Sequence, residues 1–146
     1  MALIVHKYGG TSMGSTERIR NVAKRVAKWA RAGHQMVVVP SAMSGETNRL
    51  LGLASELAPS HAKNSYYREL DMLASTGEQA SSALLAIALQ GEGVESVSYA
   101  GWQVPVRTDS SFTKARIESI DDKRVRADLD AGRVVIVTGF QGIDPE

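Results

Sequence analysis

Short runs of branched apolar residues alternate along this chain with stretches of helical periodicity, and the apolar runs end on glycine, proline or serine. That alternation is what most restricts the fold. Residues 2–6 form an apolar run that breaks at Gly9-Gly10. Residues 15–32 then place Ile19, Val22, Ala23, Val26 and Ala30 at spacings of three and four, the period of a helix with one buried face, and Gly33 follows as a stop. Residues 36–39 carry Val37-Val38-Val39, a run suited to a strand buried on both faces, and Pro40-Ser41 ends it. Helices are expected over 47–58, around Tyr66, Leu70 and Leu73, and again from Ala80 to Gly91, the last two as separate elements. Residues 94–99 read as a strand, 104–106 and 115–117 as a hairpin, 121–131 as a helix closed by Gly132, and 134–138 as the final strand. Strands and helices in this order predict an α/β fold with a mainly parallel sheet. A parallel strand is normally followed by a crossover element, and none follows residue 138 here, so the fold is expected to be cut at an uncovered sheet edge.

Composition narrows the chemistry. With 17 Lys plus Arg against 16 Asp plus Glu, no overall field favours nucleic acid or an anionic membrane. The absence of cysteine removes disulfides, thiolate catalysis and cysteine-bound zinc. No apolar run approaches the roughly 18 residues of a membrane span, and the amino terminus is too short in apolar residues for a signal peptide. A soluble, cytoplasmic protein is expected. His6, His34 and His61 show no metal-ligand spacing, and Asp121, Asp122 and Lys123 read as helix-start charges.

Five loops carry residues with chemical potential, and each has a plainer reading. Lys7-Tyr8-Gly9-Gly10-Thr11-Ser12 sits between a strand and a helix. Its glycines admit a ligand close to the backbone, helix-start N–H groups suit an anion, and a lysine meets the charge of a phosphoryl group. The lysine precedes the glycines, so this is not a Walker A loop. The plainer reading is a glycine turn. In residues 40–48, Ser41, Ser44 and Thr47 are able to bind phosphate or carboxylate oxygens, or to cap the next helix. Ser75-Thr76-Gly77-Glu78 has the spacing of a capping box, which the residues alone favour for Glu78. Residues 101–109 read as a structural hairpin, and Gly139-Phe140-Gln141-Gly142 as a loop that either lies against a ligand or turns the chain.

Taken together, KYGGTS, VVVPSAMSGETNRL, ELDMLASTGEQASSALLA, GWQVP with TDSSFTKARI, and VVIVTGFQG resemble, in this order and over essentially all 146 residues, the aspartate kinases of bacteria. The resemblance implies the amino-acid-kinase fold, an α/β/α sandwich around a mostly parallel sheet. It implies that Lys7 contacts the transferred phosphoryl group, that Gly9 and Gly10 offer N–H groups to the phosphates with Ser41 nearby, and that Thr47 and Glu78 bind aspartate, Glu78 at its α-amino group. The reaction would use ATP with Mg2+ to make 4-phospho-aspartate, the first step toward lysine, threonine and methionine. A carboxylate acceptor is already ionised at neutral pH, so no general base is required. The family continues past GFQG with a glycine-rich TTLGRGGSD-like stretch, a base pocket and regulatory ACT domains. Residues 1–146 therefore resemble the amino-terminal, acceptor-binding lobe, expected to be inactive by itself and to form a homo-oligomer. The rival expectations are a non-catalytic binding or self-assembly module, argued from the free sheet edge, and a kinase of the same fold with another acceptor.

Overall fold

The computed structural model describes residues 1–58, 64–109 and 116–140. Strand β1 (Leu3–Tyr8) leads to helix α1 (Thr16–Arg31) and strand β2 (Gln35–Pro40). Helices α2 (Glu46–Leu57) and α3 (Asn64–Gly91) follow, then β3 (Ser96–Tyr99), β4 (Val106–Thr108), β5 (Ile117–Ile120), α4 (Lys123–Asp130) and β6 (Val134–Val137). The segment 59–63, the turn of the expected hairpin at 110–115 and the loop from Gln141 onward lie outside the described residues.

Four strands form an all-parallel sheet in the order β1-β2-β6-β3. Because strand side chains alternate, β6 faces both ways. Val134 and Ile136 join Met36 and Val38 beneath Ile19, Val22, Val26, Leu85 and Leu89 of α1 and α3. Val135 and Val137 face the other way, with Tyr99 and with Val125 and Leu129 of α4. The result is a three-layer α/β/α arrangement, as the resemblance implied, around the mainly parallel sheet that the alternating pattern predicted. The hairpin β4–β5 stands apart as an antiparallel pair. Among the described residues no helix is long and apolar enough to cross a membrane.

Local chemistry explains most boundaries. Ser15 caps α1, its Oγ accepting from the Arg18 N–H at 3.2 Å, and Gly33 ends the helix at φ +90°. Pro40, which has no N–H to donate, sits where β2 has already stopped pairing with β6 at Val38–Ile136.

Three expectations need correction. The final strand is no edge: β6 pairs with β2 on one side and β3 on the other, and all four of its residues are buried. Strand order in a parallel sheet need not follow chain order, so a strand late in the sequence closes the middle. The assembly-module reading, which rested on a free β6 edge, loses that support. Next, the helices expected around Tyr66 and from Ala80 are one continuous α3. The Ser75 and Thr76 hydroxyls donate to the carbonyls of Met72 and Leu73, each at 2.7 Å, which lets polar residues remain inside the helix. No capping box forms at Glu78. Finally, α2 starts from Gly45 at φ +79° with no side-chain cap, so neither Ser44 nor Thr47 caps it.

On the α4 face, Tyr99 is buried and its hydroxyl donates to Asp128, whose other oxygen accepts from Arg133 at 2.8 Å. Burial first, and then the bond to Asp128 and its charge, push the Tyr99 hydroxyl up to about 12. The neutral phenol is therefore the form the fold favours. Its stabilisation is complete below the ordinary tyrosine value of about 10 and is lost as pH rises from there toward about 12. Denaturant unfolding followed across that range is expected to show a loss on the order of 2–3 kcal/mol that Tyr99→Phe lacks. Parallel pH profiles for the two proteins would rule out any such contribution from the Tyr99–Asp128 pair.

Candidate functional site

Parallel strands end together, and their carboxyl-end loops gather at one rim of the sheet. Lys7 pairs in register with Val39, and Tyr8 with Pro40, so Gly9-Gly10 and Ser41 leave the sheet side by side. The Ser41 N–H donates to the Tyr8 carbonyl at 2.8 Å, which carries the ladder one residue past Pro40. The exposed Lys7 side chain turns onto this loop, and Nζ donates to Ser41 Oγ at 3.0 Å.

The glycine loop after β1 winds tightly. The N–H groups of Ser12, Met13 and Gly14 return to the carbonyls of Gly9, Gly10 and Thr11, and Arg18 Nη1 holds Thr11 O at 2.9 Å. Within the described residues the N–H groups of Gly9 and Gly10 make no hydrogen bond. A side chain on Gly10 would meet Ala42 O at 3.5 Å, and one on Gly14 would meet Ser44 Cβ at 3.4 Å, so this loop lies directly against the loop after β2. Gly9 faces open space.

Glu78 reaches the same rim from α3. Its Oε2 accepts from the Phe140 N–H, just past β6, at 2.5 Å. Gly139 marks where the groups converge: a side chain there would meet Val39 Cγ1 at 3.0 Å, Glu78 Oε2 at 3.6 Å and Lys7 Nζ at 3.9 Å. A cation, a carboxylate and a bare stretch of backbone thus surround one spot at the carboxyl ends of β1, β2 and β6. Such a set is able to hold a zwitterionic ligand's ammonium at one side and developing negative charge at the other.

The fold therefore brings Lys7, Ser41 and Glu78 together, with Gly10 against the Ser41 loop and Gly9 open to solvent. Thr47 lies exposed in the first turn of α2 and makes no hydrogen bond to the others within the described residues. The contact of Glu78 with Phe140 escaped the sequence reading, although the glycine after the last strand was its one visible signal. Glu46, at the start of α2, is paired with Arg49 at 2.7 Å, and that hydrogen bond holds its carboxyl below the ordinary glutamate range. An open groove between β1 and α1, lined by His6, Lys7, Lys24, Arg25, Lys28 and Trp29, contains neither Ser41 nor Glu78. Among the described residues no three histidine or acidic side chains are grouped to hold a metal.

Residues 2–146 match the sequence model of the Amino acid kinase family. The aspartokinase of Pseudomonas aeruginosa is 58% identical over 144 residues, 99% of this chain and 34% of that protein. The chain thus spans about a third of the length of the curated relatives it matches. The crystal structure of aspartate kinase from Synechocystis superposes with a TM-score of 0.77 at 42% identity, covering 97% of this chain and 22% of the other. E. coli aspartokinase III, crystallised with aspartate and ADP, shares the fold alone: TM-score 0.75 at 21% identity, covering 98% of this chain and 42% of that one.

Proposed function

The chain belongs to the amino acid kinase family, and on that basis we propose that the whole protein carrying it phosphorylates the side-chain carboxylate of aspartate with ATP. The single observation behind this reading is the convergence of the Lys7 ammonium and the Glu78 carboxylate around Gly139. The identity to aspartokinases over nearly the whole chain supports the choice of acceptor.

Phosphoryl transfer asks little covalent work of a protein; it needs positioning and charge stabilisation. Lys7 meets charge that develops on the phosphoryl oxygens, while Ser41 Oγ orients its ammonium. The unbonded N–H groups of Gly9 and Gly10 face the phosphates. Glu78 takes the α-ammonium of aspartate, and Thr47 contributes from the first turn of α2. The β-carboxylate attacks as the ion it already is. Magnesium would enter with ATP and would supply further neutralisation of phosphate charge; among the described residues no three histidine or acidic side chains are grouped to hold it.

The product belongs to the route toward lysine, threonine and methionine, and the setting is cytoplasmic. A homo-oligomer is part of the same reading and rests on the resemblance alone, since β6 is interior. Incubation of the whole protein with ATP and aspartate is expected to yield 4-phospho-aspartate, trapped as its hydroxamate, with far less product from glutamate. Equal transfer to glutamate, or none to aspartate, overturns the assignment. The 146-residue chain by itself is expected to give no hydroxamate above a protein-free control, because it spans about a third of those relatives.

A further inference from the structure

Ser81 is completely buried on α3, three residues beyond Glu78. Its Oγ lies 2.7 Å from the Ser41 carbonyl oxygen and 3.1 Å from that of Glu78. A hydroxyl has one proton to give, and the shorter contact reaches out of the helix. Ser75 and Thr76, by contrast, donate only to carbonyls of their own helix.

The bond completes the restraint of Ser41. Its N–H donates to Tyr8, its Oγ accepts from Lys7, and its carbonyl accepts from Ser81. Gly77, one turn before Ser81, lies on the same helix face and makes the approach possible. A side chain there would meet Ala42 Cβ at 3.2 Å and Glu46 Cγ at 3.5 Å. Helix α3 is therefore seated on the loop after β2 by a close contact at Gly77 and a hydrogen bond at Ser81, with Glu78 between them.

Building on the aspartate kinase reading above, we infer that Ser81 is a positioning residue: through Ser41 it fixes where the Lys7 ammonium stands relative to the Glu78 carboxylate. It touches neither substrate. Its effect passes through the Ser41 peptide to Ser41 Oγ and from there to Lys7.

A double-mutant cycle in the whole protein tests this. Ser81→Ala leaves the Ser41 carbonyl without its partner and is expected to lower turnover on aspartate about tenfold, the size of one buried hydrogen bond. In a Ser41→Ala background, where the link to Lys7 is already gone, the same change is expected to cost nothing further. Equal losses in both backgrounds, or unchanged turnover, overturn the inference. Should Ser81→Ala not fold, Ser81→Cys keeps a weak donor: a partial loss seen only where Ser41 is intact supports the coupling, and an equal loss without Ser41 overturns it. The amide proton of Phe140, which donates to Glu78, reports the seating of α3 without any substrate. Its resonance is expected to shift in Ser81→Ala, and a stationary resonance overturns the inference. If the unmodified protein transfers nothing to aspartate, the proposed function falls, and this resonance alone decides the role of Ser81.

Discussion

Replacing Lys7 with alanine in the whole protein is expected to lower the turnover number by about a hundredfold or more, while the KM for aspartate changes little. The effect is electrostatic. A donor aimed at charge that grows only in the transition state stabilises that state and not the bound substrate, and removing one such donor typically costs about 10²–10³ in rate. Lys7 stands at the end of β1, its Nζ anchored on Ser41 Oγ at 3.0 Å and beside the spot that Gly139 leaves open, and the proposed role rests on that position. Because the side chain is exposed, its loss should hardly disturb folding. Lys7→Arg retains charge but presents a planar fork in place of a compact ammonium, so recovery should be incomplete. Steady-state kinetics with aspartate and ATP varied separately check the split between turnover and KM. An unchanged turnover number would return Lys7 to the simple glycine-turn reading.

Glu78→Gln is expected to reduce kcat/KM for aspartate by roughly tenfold to a hundredfold, the worth of a charge-assisted hydrogen bond of about 1.5–3 kcal/mol. Glutamine keeps the shape and an acceptor oxygen, so the Phe140 N–H can still be met, but the charge facing the α-ammonium is gone. Thermal unfolding should barely move. A capping box closed by Glu78 is incompatible with this fold: α3 runs without a break through Ser75 and Glu78, and the Glu78 carboxylate points to the end of β6. A variant with native stability and unaltered aspartate kinetics would leave Glu78 as a structural partner of the Phe140 N–H and nothing more.

The roles proposed for Lys7 and Glu78 differ in how far neighbouring residues suggest them. Lys7 could be singled out from its neighbours, because a lysine before two glycines at a strand end is a local arrangement, although those neighbours suit a simple glycine turn as well. Glu78 could not be judged that way. Serine followed three residues later by glutamate is a helix-start signature wherever it occurs, and only a partner 62 positions away, the Phe140 N–H, separates the two meanings. Ser81 is the same case. In sequence it is one of several small residues in a helical run; in the fold its hydroxyl crosses to a carbonyl 40 positions earlier.

The sequence by itself determined most of the elements. Branched apolar runs made β1, β2 and β6, the spacing of Ile19, Val22 and Val26 made the buried face of α1, and Gly33 and Gly132 adopted the left-handed turns that stop their helices. These are properties of a few consecutive residues, settled by backbone sterics and by which side of an element is apolar. Tertiary structure alone decided that the last strand lies inside the sheet between β2 and β3, that two expected helices are one, and that Lys7, Ser41, Glu78 and Gly139 share a single rim. Strand order and side-chain partners are choices between distant segments of similar local character. A run such as Val134–Val137 suits an edge or an interior position equally until the strands and helices on both sides of it have packed.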